Sequence, residues 1–144
     1  VGLGYTGRSI VKDLHGMGVP YIAVDTQLDL VYDGQAKGYN VIFGNATQKN
    51  ILESLRVEKA AAIIVTMDNE KDLLSFCEIA KSSYPKVNLV ARTRSEKEYD
   101  LIRAAGVTLL VNESGQIGKK LLDMALSCDI AKAKRKEEVA NYDI

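Results

Sequence analysis

Apolar positions recur along this chain in two alternating rhythms. In "YTGRSIVKDLHGMG", Ile10, Val11, Leu14 and Met17 share one helical face, and Gly16 and Gly18 can end that helix. "VPYIAVD" then reads as a short strand closing on Asp25. "TQLDLVYDGQAKG" returns to helical spacing with Leu28, Val31, Tyr32 and Gln35, and "YNVIFG" is a strand closed by Gly44. Thr47 is placed to cap a short helix, "TQKNILESLRV". "AAAIIVTM" is apolar throughout, as in a strand covered on both faces. "DNEKDLLSFCEIAKSSY" reads as a helix that Asp68 or Asn69 can cap, and Pro85 separates it from the strand "KVNLVART". Ser95 and Glu98 stand in capping-box spacing at the head of "SEKEYDLIRAAG". "VTLLVN" is a last strand, followed by a long helix from "ESGQIGKKLLDMALSCDI" that turns polar and charged near Ala131.

Strand and helix in strict alternation, with apolar strands, predict a parallel sheet carrying helices on both faces. Six strands are counted if the first is completed ahead of Val1. The expected fold is therefore α/β: a Rossmann-like, doubly wound, six-stranded parallel sheet in three layers. The sequence shows no solenoid-type repeat and no Pro/Ser linker.

Composition narrows the function classes. The 144 residues suit one domain with a real core, and 47% hydrophobic with 26% charged residues is ordinary globular usage. Nineteen basic residues balance nineteen acidic ones, so the electrostatic footprint of a general nucleic-acid binder is missing. The two cysteines, Cys77 and Cys128, have no motif spacing. Cys77 lies in an apolar run and reads as a buried free thiol, which fits a reducing, cytoplasmic setting. The sequence contains neither a bilayer-length apolar run nor a signal peptide.

The glycines carry the first chemical signal. Gly2, Gly4 and Gly7 form a G-x-G-x-x-G array in "VGLGYTG", with only Val1 before it. The array alone is unspecific, but a helix follows it directly. The next strand then ends in an acid, Asp25, eighteen residues after Gly7, near the ~20 of a dinucleotide site. Gly2 would permit the tight turn, Gly4 would let a phosphate approach the backbone, and Gly7 would let the helix pack close to the sheet. The helix amino end offers free amide donors. Asp25 would accept from ribose hydroxyls, and its charge disfavours a 2′-phosphate. The competing reading is a tight strand-to-helix turn with an idle acid.

In open parallel sheets ligands sit beyond the carboxyl ends of the strands. Those ends carry Asp25 and Thr26, "GNAT" (Gly44 to Thr47), "TMDN" (Thr66 to Asn69), "ARTR" (Ala91 to Arg94) and "VNES" (Val111 to Ser114). Asn45 and Thr47, like Asp68 and Asn69, serve either a ligand or only the caps of their helices. Arg92 would meet an anionic ligand or a neighbouring carboxylate, or stand in a surface salt bridge. Catalytic sets are missing. The single histidine, His15, falls near the end of the first helix, away from the loop, and reads as a surface residue. No Cys/His metal spacing exists. A nucleotide is thus read as sensed and not consumed.

Taken in order, "GLGYTG", the strand-end "VD", "GNAT", "TMDN", "ARTRS" and "AAGVTLLVNES" resemble the nucleotide-binding domain of regulators of potassium conductance, the RCK, KTN or TrkA-N domain. The likeness runs from Val1 to about Leu126, and its closing stretch looks most like the C-terminal domains of Kef-type potassium/proton antiporters. The resemblance implies a cytoplasmic module, not an enzyme, at the inner face of the membrane. It would bind AMP or NAD(H), or ATP or ADP, and pass ligand state to a membrane-embedded cation transporter. By motif match, Gly2, Gly4, Tyr5, Thr6 and Gly7 would hold phosphate, Asp25 the ribose, and Asn45, Ala46 and Thr47 would sit near the adenine, with Thr26 a further cofactor-binding residue. Thr66, Met67 and Asp68 would line the cleft, and Arg92 would reach the ligand or a subunit contact. The resemblance further implies a homodimer or ring, with glutathione as a second ligand in Kef systems.

Two departures bear on this. Asn45 stands where the family often has Asp, and Tyr5 where many Kef domains have Arg, which weakens the case for anionic glutathione. Residues 1–130 then form the nucleotide domain with its crossover helix, and residues 131–144 a charged helix end or linker. "KAKRKEE" reads as solvated or as a membrane-surface contact. Ile117, Leu121, Leu122, Met124, Ala125 and Leu126 give the last helix too many apolar positions for a free helix; it meets a partner subunit or folds back on its own sheet. The alternatives are the cofactor-binding fragment of an NAD-dependent oxidoreductase and an assembly domain with a vestigial site. The start inside a glycine motif fits an excised cytoplasmic domain.

Overall fold

A computed structural model describes residues 1–127. The elements run α1 (Tyr5–Gly16), β1 (Ala23–Asp25), α2 (Leu28–Ala36), β2 (Val41–Phe43), α3 (Lys49–Ser54), a 3-10 turn (Val57–Lys59), β3 (Ala62–Val65), α4 (Glu70–Ser83), β4 (Asn88–Thr93), α5 (Glu96–Ala104), β5 (Leu109–Asn112) and α6 (Glu113–Ser127). Cys128 and the charged stretch of residues 131–144 lie outside the described residues.

The expected alternation holds, but the sheet differs from the six-stranded one. Five strands form two parallel sheets, β1-β2 and β3-β4-β5. Val1 to Leu3 is not a strand, yet it bonds to both. Gly2 N–H donates to Val24 O at 2.9 Å and Thr66 N–H to Val1 O at 2.9 Å, and Val1 N donates to Ile64 O. The opening residues therefore stand between β1 and β3, and the carboxyl ends of all five strands face the same way. Below Val1 the space between β1 and β3 is an apolar groove of about 620 Å³, bordered by Ile10, Leu14, Ile22 and Ile64.

Side-chain alternation along β1 places the two cores on opposite faces. Ala23 packs with Leu3, Val11, Val31 and Val41 from the opening segment, α1, α2 and β2. Val24 packs with Leu52, Ile63, Val65, Leu73, Phe76, Leu89 and Ile102. Phe76, Cys77 and Leu73 are fully buried, and burial pushes the Cys77 thiol up to about 11, with Glu78 adding to the shift.

Helix ends follow the sequence in part. Gly18 adopts φ +67° just past α1, and Asn69 caps α4 by accepting from Lys71 N and Asp72 N. Thr47 does not cap α3; Gln48 holds that position. The Asn45 carboxamide oxygen captures both Thr47 N and Thr47 Oγ1 in a local turn. Ser95 precedes α5 but makes no side-chain cap. Its amide donates to Thr93 Oγ1, and Glu98 Oε2 is buried without a hydrogen-bond partner. On α1, Val11 is buried while Met17 is exposed; on α2, Val31 is buried while Leu28 and Tyr32 are exposed.

Candidate functional site

The strands' carboxyl ends converge on the glycine loop. Gly2 has φ +95°, a backbone conformation that side chains disfavour. A Cβ on Gly7 would lie 1.9 Å from Gly2 O and 2.9 Å from Thr66 Oγ1. The first turn of α1 thus rests directly on the backbone of the opening segment. Gly4 differs. It is the N-cap of α1 with φ −60°, and a Cβ there would meet only Asp68 Oδ2, at 3.4 Å. Fold geometry explains Gly2 and Gly7; it does not demand Gly4.

The loop is held by side chains from both flanking strands. Asp25 Oδ2 accepts from Leu3 N at 2.6 Å and Oδ1 from Gln27 N at 2.8 Å. Each carboxylate oxygen retains lone-pair capacity for a hydroxyl donor. From the other side, Thr66 is buried and its hydroxyl donates to Gly2 O at 2.8 Å. At the start of α1, Gly4 is followed by Tyr5, which is 84% exposed, and by half-buried Thr6.

The outer candidates divide. Asn45 and Thr26 are exposed and Thr47 is half-buried, but the Ala46 side chain is buried in the core. Met67 also packs against that core. Their side chains line the core more than the cleft. Asn45 is occupied in its own turn.

Arg92 is not a surface salt bridge. It is 7% exposed, and three groups meet its guanidinium. Nη2 donates to Asp68 Oδ1 at 2.5 Å and to Thr66 O at 3.0 Å, and Nη1 to Glu113 Oε2 at 2.5 Å. Nε has no partner. Arg94 touches the same two carboxylates, Asp68 Oδ1 at 3.3 Å and Glu113 Oε2 at 3.5 Å. Two carboxylates and two guanidiniums therefore alternate at the ends of β3, β4 and β5. Glu113 and Arg94 were not singled out as candidates from the sequence, though both lie inside the strand-end motifs "VNES" and "ARTR".

His15 lies at the far end of α1, its Nδ1 3.4 Å from the Tyr21 hydroxyl and its ring edge-on to Tyr39. Among the described residues no group of three or more His, Cys, Asp or Glu is placed to hold a metal. No described helix is long and apolar enough to cross a membrane.

Comparison with known proteins agrees with this geometry. The glutathione-regulated potassium-efflux system protein KefC of Salmonella paratyphi B is 30% identical over 113 residues, which is 78% of this chain and 18% of the relative. The chain therefore spans about a fifth of the relatives it matches. The TrkA-N domain of inner membrane protein ybaL from Escherichia coli superposes with a TM-score of 0.79 at 22% identity, over 85% of this chain and 91% of that one. The GsuK RCK domain gives 0.74 at 25% identity, over 90% of this chain and 28% of that one. The Shewanella denitrificans Kef C-terminal domain in its AMP-bound form gives 0.68 at 21%, over 99% and 88%. The TrkA-N domain model matches residues 1–113. With its glycine loop, strand-end acid and parallel α/β core, this chain belongs to the TrkA-N domain family.

Proposed function

We propose that this chain is a nucleotide-sensing regulatory domain that gates potassium or another monovalent cation through a membrane transport system, working at its cytoplasmic face. One observation carries the ligand side of this reading: a glycine loop whose Gly4 the fold itself does not require. A ligand that approaches the backbone there supplies the missing reason. The ligand is an adenine nucleotide. Its phosphate meets the amides at the head of α1 near Gly2, Gly4, Tyr5, Thr6 and Gly7. Its ribose meets Asp25 beside Thr26, and its adenine lies toward Asn45, Ala46 and Thr47. Solved relatives are described with NAD and with ADP bound to GsuK and with AMP bound to a Kef domain.

Regulation and not catalysis is the role. The polar groups at the strand ends are paired with one another, and relatives that share sequence include a potassium-efflux protein and the GsuK channel. The mechanism is a population shift, in which the nucleotide favours one arrangement of associated domains and that difference moves the transporter. A second copy of the domain is the natural partner for α6, where Ile117, Leu121, Leu122, Met124 and Leu126 are all more than half exposed. Glutathione is the weaker regulator, since Arg92 and Arg94 already face carboxylates.

A thermal-shift panel of AMP, ADP, ATP, NAD, NADH, NADP and glutathione tests the proposal. A ligand at a hundredfold its dissociation constant stabilises by ~2.7 kcal/mol. Stabilisation by adenine nucleotides and not by NADP is the expected result. No shift with any nucleotide, in protein free of co-purified ligand, refutes the sensor reading.

A further inference from the structure

The two arginines of the strand-end cluster are held differently. Arg92 is buried, and its guanidinium bonds Asp68, Thr66 O and Glu113. Arg94 is fixed at its backbone alone. Its amide donates to Glu70 Oε1 at 3.2 Å, and its carbonyl accepts from Ser114 Oγ at 3.3 Å. Its side chain is 52% exposed and stands between two carboxylates at nearly equal distance, Asp68 Oδ1 at 3.3 Å and Glu113 Oε2 at 3.5 Å. A half-exposed guanidinium in long contacts of this kind is weakly committed to either partner.

The two carboxylates belong to different parts of the molecule. Asp68 stands beside the glycine loop, its Oδ2 3.4 Å from the place a Cβ on Gly4 would take. Glu113 is the first residue of α6, and no described residue of that helix is buried. The first turn therefore sets α6 on the core, through Glu113 on Arg92 and Arg94 and through Ser114 on Arg94 O. A phosphate at the head of α1 adds negative charge on the Asp68 side of Arg94 and none on the Glu113 side. Coulomb attraction then biases the free guanidinium toward the loop.

We propose that Arg94 is the positioning residue that couples occupancy of the glycine loop to the setting of α6: phosphate draws its guanidinium off Glu113, while Arg92 stays in place. This rests on the nucleotide reading above. Glu113 then keeps one of its two cations, and the first turn of α6 is released to a different angle on the core.

Spin labels at Lys12→Cys on α1 and Lys120→Cys on α6, both exposed positions, report that angle in a Cys128→Ser background diluted with unlabelled chain. Calorimetry on the same proteins reports AMP binding. AMP should shift the inter-label distance in the otherwise native chain. Arg94→Gln should abolish the shift while AMP affinity stays within about fivefold, the range of one exposed charge. Arg94→Lys, which keeps the charge, should retain the shift. Glu113→Gln should place the distance without AMP where AMP places it in the native chain. A full shift in Arg94→Gln overturns the proposal, as does AMP binding to the native chain with no shift. Loss of the shift in Arg94→Lys as well overturns it in favour of a merely structural role. Calorimetry showing no AMP binding to the native chain overturns the nucleotide reading itself, and this coupling with it.

Discussion

Substituting Gly7 and Gly4 by alanine separates what the glycine loop does for the fold from what it does for a ligand. At Gly7 the new Cβ would lie 1.9 Å from a backbone oxygen and 2.8 Å from the Gly2 carbonyl carbon. Neither atom belongs to a flexible side chain, so α1 or the opening segment has to move. Overpacking of this kind costs about 1–3 kcal/mol. The same movement strains the Thr66 Oγ1–Gly2 O bond and the Gly2 N–Val24 O bond, each worth about 0.5–1.5 kcal/mol. Alanine's better helix propensity returns at most about 1 kcal/mol. The balance is a loss of about 2–4 kcal/mol, or a melting temperature lower by about 8–16 °C in a domain of this size. At Gly4 the backbone is already in an ordinary region and the Cβ makes one van der Waals contact. The expected loss there is under about 1 kcal/mol. Nucleotide stabilisation should nevertheless vanish in Gly4→Ala, because the methyl group stands where phosphate approaches. Calorimetric melting with and without AMP reads both effects. A native-like melting temperature for Gly7→Ala refutes the packing argument. A Gly4→Ala domain that AMP still stabilises fully refutes the placement of phosphate.

Other substitutions probe the remaining parts. Asp25→Ala leaves Leu3 N and Gln27 N without acceptors and should lower stability by about 1–3 kcal/mol, with loss of nucleotide stabilisation in the same melting assay. Cys77, its pKa pushed up to about 11 by burial, should resist a thiol reagent in a Cys128→Ser background at mildly alkaline pH and react only as urea unfolds the chain; rapid native-state labelling contradicts the burial. Burial first, and then the charge of Glu70, raise the Glu98 pKa above the usual carboxylate value. A group raised in the folded state favours folding when protonated and loses that contribution as pH rises through its folded value. Glu98→Gln should therefore melt with the native chain in acid and above it at neutral pH, as a melting-temperature profile against pH will read. Leu121→Asp on α6 should shift sedimentation toward the monomer with little change in the melting of the α/β core, since Leu121 is 61% exposed.

The alternating pattern of the sequence disclosed the element order because each apolar stripe answers to burial on one face or two, a local property of spacing. It misplaced one cap, Thr47 for Gln48, and put Ser95 correctly at the N-cap of α5, where its side chain makes no capping bond. Thr47 and Ser95 are suitable residue types, but a neighbouring acceptor decides each case: the Asn45 carboxamide takes the Thr47 hydroxyl, and Thr93 Oγ1 takes the Ser95 amide. The count of six strands is replaced by five, and the opening segment reads as hydrogen bonds and not as a strand. The motif assigns Ala46 to the adenine by position only; its side chain packs into the core. The Arg92 cluster was the least legible feature. Arg92 is paired in register with Val111, so Glu113 falls just past its partner position, and Asp68 follows Val65, the partner of Ala91. These neighbours stand more than twenty residues apart in sequence and meet only through the parallel register.

The bonding of the loop constrains how a sensor of this kind can work. Leu3 N on Asp25 and Gly2 O on Thr66 fix the loop's shape with the protein's own groups. On the proposed nucleotide reading, the phosphate cradle would then be formed before a nucleotide arrives, and contacts made there would not by themselves distinguish one arrangement of domains from another. A ligand shifts an equilibrium only through contacts that differ between its states. The differences then have to come from groups the loop does not fix, namely exposed Tyr5, and Asp68 and Arg94 at the open end of the cleft. Arg94 and Arg92 each bridge Asp68 to Glu113, the first residue of α6. On the proposed reading, the rigid glycine loop would supply affinity, and the ion-pair cluster between that loop and the exposed apolar helix would carry the signal.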